Sequence, residues 1–225
     1  KKNIELAFIA FINNLPFYGY SIICIDNNNL EKISKKIKTR KLITYSMYKD
    51  SDIKIISIKR RVNGTKFSLH FKNGVINNME GVYNFTTTLM GDHNILNATA
   101  AISASLIATV PIKKISNSLK LFEGVKRRFS YLGNINKALI YDDYAHHPSE
   151  ITASYQIAKQ LSRKKIIIIF QPHRYSRTKI LLNEFIRVFK KIEILYVLDI
   201  YPAGEKPIKN INSKNLVNKI NKHKN

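Results

Sequence analysis

The sequence predicts an α/β chain in two parts: a mixed first part holding a β-meander, then a parallel sheet covered by helices. Three observations carry this. After about residue 128, short apolar strands, KALIYDD (137–143), KKIIIIF (164–170) and EILYVLDI (193–200), alternate with amphipathic segments. Buried strands of that kind separated by helices indicate parallel pairing. Between residues 53 and 89, three strand-like runs are separated by Asn63-Gly64 and Asn73-Gly74, pairs that tolerate the positive φ angles of hairpin turns. Finally, Gly124-Val125 before KRRFSYLG marks a junction. A length of 225 residues accommodates two modest domains, placed at 1–125 and 126–225.

In chain order, residues 3–13 read as a short helix, SIICID (21–26) as a buried strand, NNLEKISKKI as a helix and LITYS (42–46) as a strand. The meander follows as IKIISIKRRV, TKFSLHF and VINNMEGVYNFTTTL. Gly91-Asp92-His93-Asn94 opens a helix of small residues, ILNATAAISASLIA, and a second helix surrounds KKISNSLKLF. In the later part, PSEITASYQIAKQLS places Ile151, Tyr155, Ala158 and Leu161 on one helical face, and KILLNEFIRVFKKI does so with Leu182, Phe185, Phe189 and Ile192.

Composition narrows the function classes. The net charge of +23 attracts polyanions, yet the lysines are spread along the whole chain rather than gathered on one motif. Compositional drift explains that spread better than a nucleic-acid footprint, so a basic nucleic-acid-binding protein stands as the rival and not the favoured reading. No apolar run approaches the roughly 20 residues that cross a bilayer. The opening KKNIELAFIAFINNLPFYGY is interrupted by Glu5 and lacks a small-residue cleavage site, unlike a signal peptide. One cysteine, Cys24, cannot staple the chain, and a reducing cytosol is expected.

Three polar clusters follow the three later strands: DDYAHHPSE (142–150), QPHRYSRT (171–178) and DIYPAGEKP (199–207). The carboxyl ends of parallel strands are where α/β sheets bind ligands, so these loops are expected to share one crevice. In the first, Pro148 suits the opening turn of a helix and Glu150 complements its positive end, with His147 or Ser149 as cap. Asp142 and Asp143 are adjacent on a strand end and face opposite sides, and His146-His147 lacks the spacing of a zinc pair, so no metal site is assigned. In the second, Arg174 and Arg177 lie one helical turn apart beside His173, a pattern suited to bidentate carboxylate or phosphate binding; internal pairing with Asp143 or Glu205 is the alternative. Asn94 and Asn97 lie one turn apart at a helix mouth, where amides read adenine edges or simply cap. Neither G-x-x-x-x-G-K-[ST] nor G-x-G-x-x-G occurs among the eight glycines.

Together, LPFYG (15–19), ITYS (43–46), GDHNILNATAA (91–101), GVKRRFS (124–130), DDYAHHPSEI, FQPHRYSRT and YPAGE (201–205) resemble the Mur ligases, over about residues 8–210. Within that family the pattern is similar to the branch that joins L-alanine to UDP-N-acetylmuramate in peptidoglycan synthesis. FQPHRYSRT favours this branch over the murein-peptide-recycling ligase, which shares DD-x-x-HHP. The resemblance implies the latter part of a central ATPase domain followed by most of a Rossmann-like C-terminal domain. It implies ATP and Mg²⁺ as cofactors, with the metal's ligands outside these residues and the segment inactive alone; a non-catalytic remnant is a further alternative. By resemblance Asn94 and Asn97 contact adenine, Arg128 the nucleotide and Asp143 the ribose. His173, Arg174 and Arg177 face the amino-acid end, with His146 close by. Ala145 departs from the family, where glycine is frequent.

Overall fold

The protein was analysed as a computed structural model that describes residues 2–37, 41–61, 64–76, 79–162 and 165–224. It divides into two compact units, Lys1–Glu123 and Gly124–Asn225.

In the first unit, period-two alternation builds a five-stranded sheet. Its strands are β1 (Ser21–Cys24), β2 (Leu42–Ser46), β3 (Ile53–Arg61), β4 (Gly64–Ile76) and β5 (Met79–Thr87), in spatial order of sequence. β1, β2 and β3 pair parallel, whereas β3, β4 and β5 form the antiparallel meander. The inward residues Ile53, Leu69 and Phe71 are fully buried. Helix α1 (Lys2–Asn13) and helix α2 (Asn28–Ser34) bury Ile12 and Ile33 against Ile23 and Ile25. Helix α3 (Asp92–Ile107) lays Ile95, Ala98, Ile102 and Leu106 onto the main core, and α4 (Ile112–Leu121) adds Ile115. Each such isoleucine, leucine or phenylalanine side chain contributes about 1.5–3 kcal/mol on burial.

Asn73-Gly74 is not a hairpin turn. It lies inside β4, with Gly74 at φ 75° and the register to β5 slipping between Phe71 and Ile76. Here the positive φ of glycine accommodates a bulge rather than a reversal. Asn63, Asn77 and Asn78 fall outside the described residues.

The second unit begins with β6 (Ser130–Ile135) and β7 (Ala138–Asp142), an antiparallel hairpin closed by Asn136 and Lys137 at φ 48° and 70°. The expected parallel placement of KALIYDD is therefore corrected: among the described residues its ladder is to β6. Two successive positive φ angles give the turn whose twist matches its strands, although neither residue is glycine. Helix α5 (Pro148–Leu161) follows, then β8 (Ile167–Phe170), α6 (Tyr175–Ile180), α7 (Leu182–Phe189), β9 (Ile194–Val197) and α8 (Ser213–Lys222). β8 and β9 pair parallel from Ile167↔Ile194 to Phe170↔Val197. Leu181 interrupts the single helix expected over residues 179–192, separating α6 from α7.

One face of the β8–β9 pair packs Phe170 against Phe185, Ile186 and Phe189 of α7, Leu216 and Ile220 of α8, and Ile151 of α5. The opposite face, with Ile167 59%, Ile169 68% and Tyr196 59% exposed, is open, where cover on both sides was expected. No helix among the described residues is long and apolar enough to cross a membrane.

Gly64 supplies a test of the meander. At φ 124° it would, with a Cβ, collide with the Thr87 carbonyl oxygen, whereas a Cβ on Gly74 meets open space. Gly64→Ala is expected to lower stability by well over about 1 kcal/mol and by more than Gly74→Ala. Urea unfolding of the two variants checks this; equal midpoints would contradict it.

Candidate functional site

The DDYAHHPSE segment spends most of its acids on holding itself in place. His147 is the N-cap of α5 and Pro148 its first residue. Glu150 Oε2 accepts from the backbone N–H groups of His146 (2.9 Å) and His147 (3.1 Å), while His147 Nδ1 accepts from Ser149 N at 3.3 Å. These bonds satisfy donors that a helix start leaves open. Asp142 pairs with Arg127 Nε at 3.2 Å, and Asp143 accepts from Ala145 N at 3.1 Å and from the Ser154 hydroxyl. The two neighbouring carboxylates thus serve different partners, as strand alternation requires. Ala145 is not among the residues with positive φ and packs partly against the apolar cluster, so the backbone there has no need of glycine.

With those acids engaged, Tyr144 and His146 are the side chains that face the next loop. His146 Nδ1 lies 2.9 Å from the Tyr144 carbonyl oxygen, which only accepts. In its neutral form the ring therefore carries its proton on Nδ1 and a lone pair on Nε2.

The FQPHRYSRT and YPAGE loops are joined by main chain. Beyond the strand ends, Leu198 N donates to Phe170 O (2.9 Å), Tyr201 N to Pro172 O (2.8 Å) and Arg174 N to Tyr201 O (2.8 Å). A parallel bridge pairs His173 with Tyr201. The outcome is a cluster of rings from three loops: His173 lies 5.0 Å from Tyr201, 5.9 Å from His146 and 6.3 Å from Tyr144 between centroids. Arg177 Nη1 sits 3.4 Å from His173 O and 3.5 Å from His173 Nδ1, so that nitrogen accepts and Nε2 carries hydrogen. Arg174 adopts φ 75°, a conformation costly for a residue with a side chain and concentrated at functional sites. Its side chain is exposed and takes no part in the ion pairs among the described residues.

Electrostatics follow from this crowding. Burial, then the charges of Arg177, His146 and Arg174, push His173 below its ordinary 6.5, against an opposing pull from Glu205. Glu205 is held below 4.5 by the hydroxyl and N–H of Ser176. Burial pushes Glu150 up, but the His146 and His147 N–H groups, with the charges of His146 and Arg128, bring it below 4.5.

The structure brings together His146, His173, Arg174 and Arg177, but turns Asp143 toward α5. Arg128 is engaged as well, with Nη1 3.5 Å from Glu150 Oε1. In the first unit, Asn94 Nδ2 donates to Met90 O at 2.8 Å, whereas Asn97 is exposed one turn on. Among the described residues no group of three or more His, Cys, Asp or Glu is placed to hold a metal ion. Sequence reasoning missed Tyr144 and Tyr201 as ring partners and Glu205 as an anchor. The aromatics beside each histidine-bearing or proline-bearing turn were the available signal.

Acid is expected to weaken this unit in two stages. A histidine with a depressed folded pKa stabilises the fold above its unfolded value, and that contribution is lost as pH falls through the folded one. For His173 the loss begins below pH 6.5; for Glu205 and Glu150, also depressed, it begins below 4.5. Urea midpoints should fall as pH drops below 6.5, and His173→Gln should flatten the upper stage only; an unchanged profile would contradict the assignment.

Comparison with known proteins matches the same residues. A profile described as the Mur ligase middle domain covers residues 1–105, and one described as the Mur ligase glutamate ligase domain covers 127–225. The chain is 42% identical over 222 residues to a UDP-N-acetylmuramate–L-alanine ligase of Rickettsia felis, covering 97% of this chain and 46% of that protein. It is 38% identical over 220 residues to the ligase of that name from Geotalea uraniireducens, covering 98% and 46%. It therefore spans about half the length of the curated relatives it matches. In fold it resembles the crystal structure of UDP-N-acetylmuramate-alanine ligase from Thermotoga maritima, with TM-score 0.66, 21% identity and coverage of 90% of this chain and 41% of the other. A murein peptide ligase from Psychrobacter arcticus matches with TM-score 0.58 at 20% identity, covering 96% and 54%. With nearly all of its residues matched by the two profiles, this chain belongs to the Mur ligase family.

Proposed function

We propose that the chain is the segment of an ATP-dependent ligase that presents the incoming amino acid, joining L-alanine to UDP-N-acetylmuramate in peptidoglycan synthesis, in the cytoplasm. The observation that carries this reading is Arg174: an exposed guanidinium outside the ion pairs among the described residues, on a strained backbone, beside His173, Arg177 and His146. The relatives at 38–42% identity, named for that reaction, favour L-alanine over the murein-peptide substrate.

In this reading Arg174 binds the amino-acid carboxylate as a planar fork, and Arg177 holds His173 while adding positive potential. His173 presents its Nε2–H to an anionic oxygen. The lone pair on His146 Nε2 takes the proton that the α-ammonium must lose before its nitrogen attacks. ATP supplies the phosphoryl group that activates the muramic carboxylate as an acyl phosphate. Fixed cations near the developing negative charge stabilise it without reorganisation.

For the nucleotide, the free amide of Asn97 fits an adenine edge, and Asn94 retains its Oδ1 as acceptor. Arg128 and Asp143 stay assigned to the nucleotide, although each is engaged locally, with Glu150 and with Ala145 and Ser154. The described residues offer no cluster of three or more His, Cys, Asp or Glu for Mg²⁺. Lacking a glycine-rich lysine loop, these 225 residues alone are expected to bind without turnover.

Two variants test the reading. In the complete ligase, Arg174→Ala should lower kcat/KM for L-alanine by roughly 10–100-fold, the equivalent of about 1.5–3 kcal/mol for a charged hydrogen bond. Asn97→Ala should weaken ATP binding to the 225-residue chain about tenfold, read by calorimetry. Unchanged kinetics would remove Arg174 from the site, and a chain that ignores ATP would refute the nucleotide assignment.

A further inference from the structure

We propose that Glu205 is a positioning residue: from the β9–α8 loop it caps helix α6 and so fixes the Arg174 guanidinium for the substrate carboxylate, an inference that rests on the ligase reading above.

Arg174 occupies the N-cap of α6. That position favours Ser, Thr, Asp or Asn, whose side-chain oxygen accepts from an amide of the first turn. Arginine has no acceptor, and Arg174 makes no side-chain cap bond. The missing cap comes from 29 residues along the chain: Glu205 Oε2 accepts from Ser176 N at 2.9 Å, and Oε1 accepts from the Ser176 hydroxyl at 2.5 Å. A carboxylate at this end also complements the positive pole of the helix. By supplying the cap from outside, Glu205 frees the N-cap position for a residue that reaches substrate.

The same loop grips Arg174 a second time, through Arg174 N to Tyr201 O at 2.8 Å. Ala203 at φ 48° and Gly204 at φ 83°, with Glu205 N donating to Pro202 O at 3.0 Å, fold the loop tightly between these two anchors. Arg174 is therefore pinned at its own amide and two residues later. Arg177 rides on the same turn and meets His173. Glu205 itself has both oxygens engaged, and its charge would repel an anionic substrate, so it acts through the helix rather than by touching the reactants.

The test separates hydrogen-bond acceptance from charge. Glu205→Ala removes the cap; Glu205→Gln keeps an oxygen for the Ser176 N–H. In the 225-residue chain, ¹⁵N NMR of the Arg174 Nε–H and His173 ring signals should shift and broaden in Glu205→Ala and return to the native positions in Glu205→Gln. Ser176→Ala, which removes one bond and little bulk, should move the same Arg174 signal in the same direction by less; it serves if Glu205→Ala fails to fold. In the complete ligase, Glu205→Ala should raise KM for L-alanine about tenfold with kcat within about twofold, as expected for lost uniform binding, and Glu205→Gln should restore most of it. Arg174 signals unmoved by Glu205→Ala or Ser176→Ala, or a glutamine that fails to restore them, would overturn the proposal. If the native ligase shows no L-alanine-dependent ATP turnover, the function reading falls, while the NMR comparison still decides whether Glu205 sets Arg174.

Discussion

The second unit depends on a run of main-chain hydrogen bonds that carries the β8–β9 pairing past the ends of both strands. From Leu198 N to Phe170 O, through Tyr201 N to Pro172 O, to Arg174 N to Tyr201 O, the two chains stay in register through residues that are no longer strand. Backbone bonds fix position without consuming side chains, so His173 and Tyr201 emerge side by side with their rings available. The phenylalanines beneath, Phe170, Phe185 and Phe189, are at most 4% exposed and give this extension a rigid base.

A division of labour among charges follows. The acids that make DDYAHHPSE and YPAGE look reactive are largely occupied: Asp142 with Arg127, Asp143 with Ala145 and Ser154, Glu150 with two histidine amides, Glu205 with Ser176. Because each of these bonds anchors a turn or a helix start, the groups left facing outward are imidazoles and an arginine. Such a surface suits anions. The burial and cationic neighbours that depress His173 belong to the same design.

Much of this was legible in the letters. LITYS is β2 over the residues expected, the helix start at Pro148 with His147 as one of two candidate caps and Glu150 at its positive end was readable, and the three polar clusters do send rings into one group. The misreadings have physical causes. Asn73-Gly74 advertises a reversal, but a bulge needs the same φ, and local sequence cannot distinguish them. The β6–β7 hairpin turns on Asn136-Lys137, where a lysine at positive φ gives no propensity signal. Periodicity showed KALIYDD as a strand but could not name its neighbour, since pairing is a tertiary choice. Glu205 was invisible as a cap because the Ser176 amide it serves lies 29 residues earlier, beyond any local motif.

The central claim is that the loops after β8 and β9 are locked by main-chain bonds and not merely adjacent. Amide hydrogen exchange of Arg174 and Tyr201 in the intact chain tests it directly. Protection comparable to that of the β8 and β9 amides is the result this account predicts. Exchange at the rate of an exposed loop at both positions would contradict it.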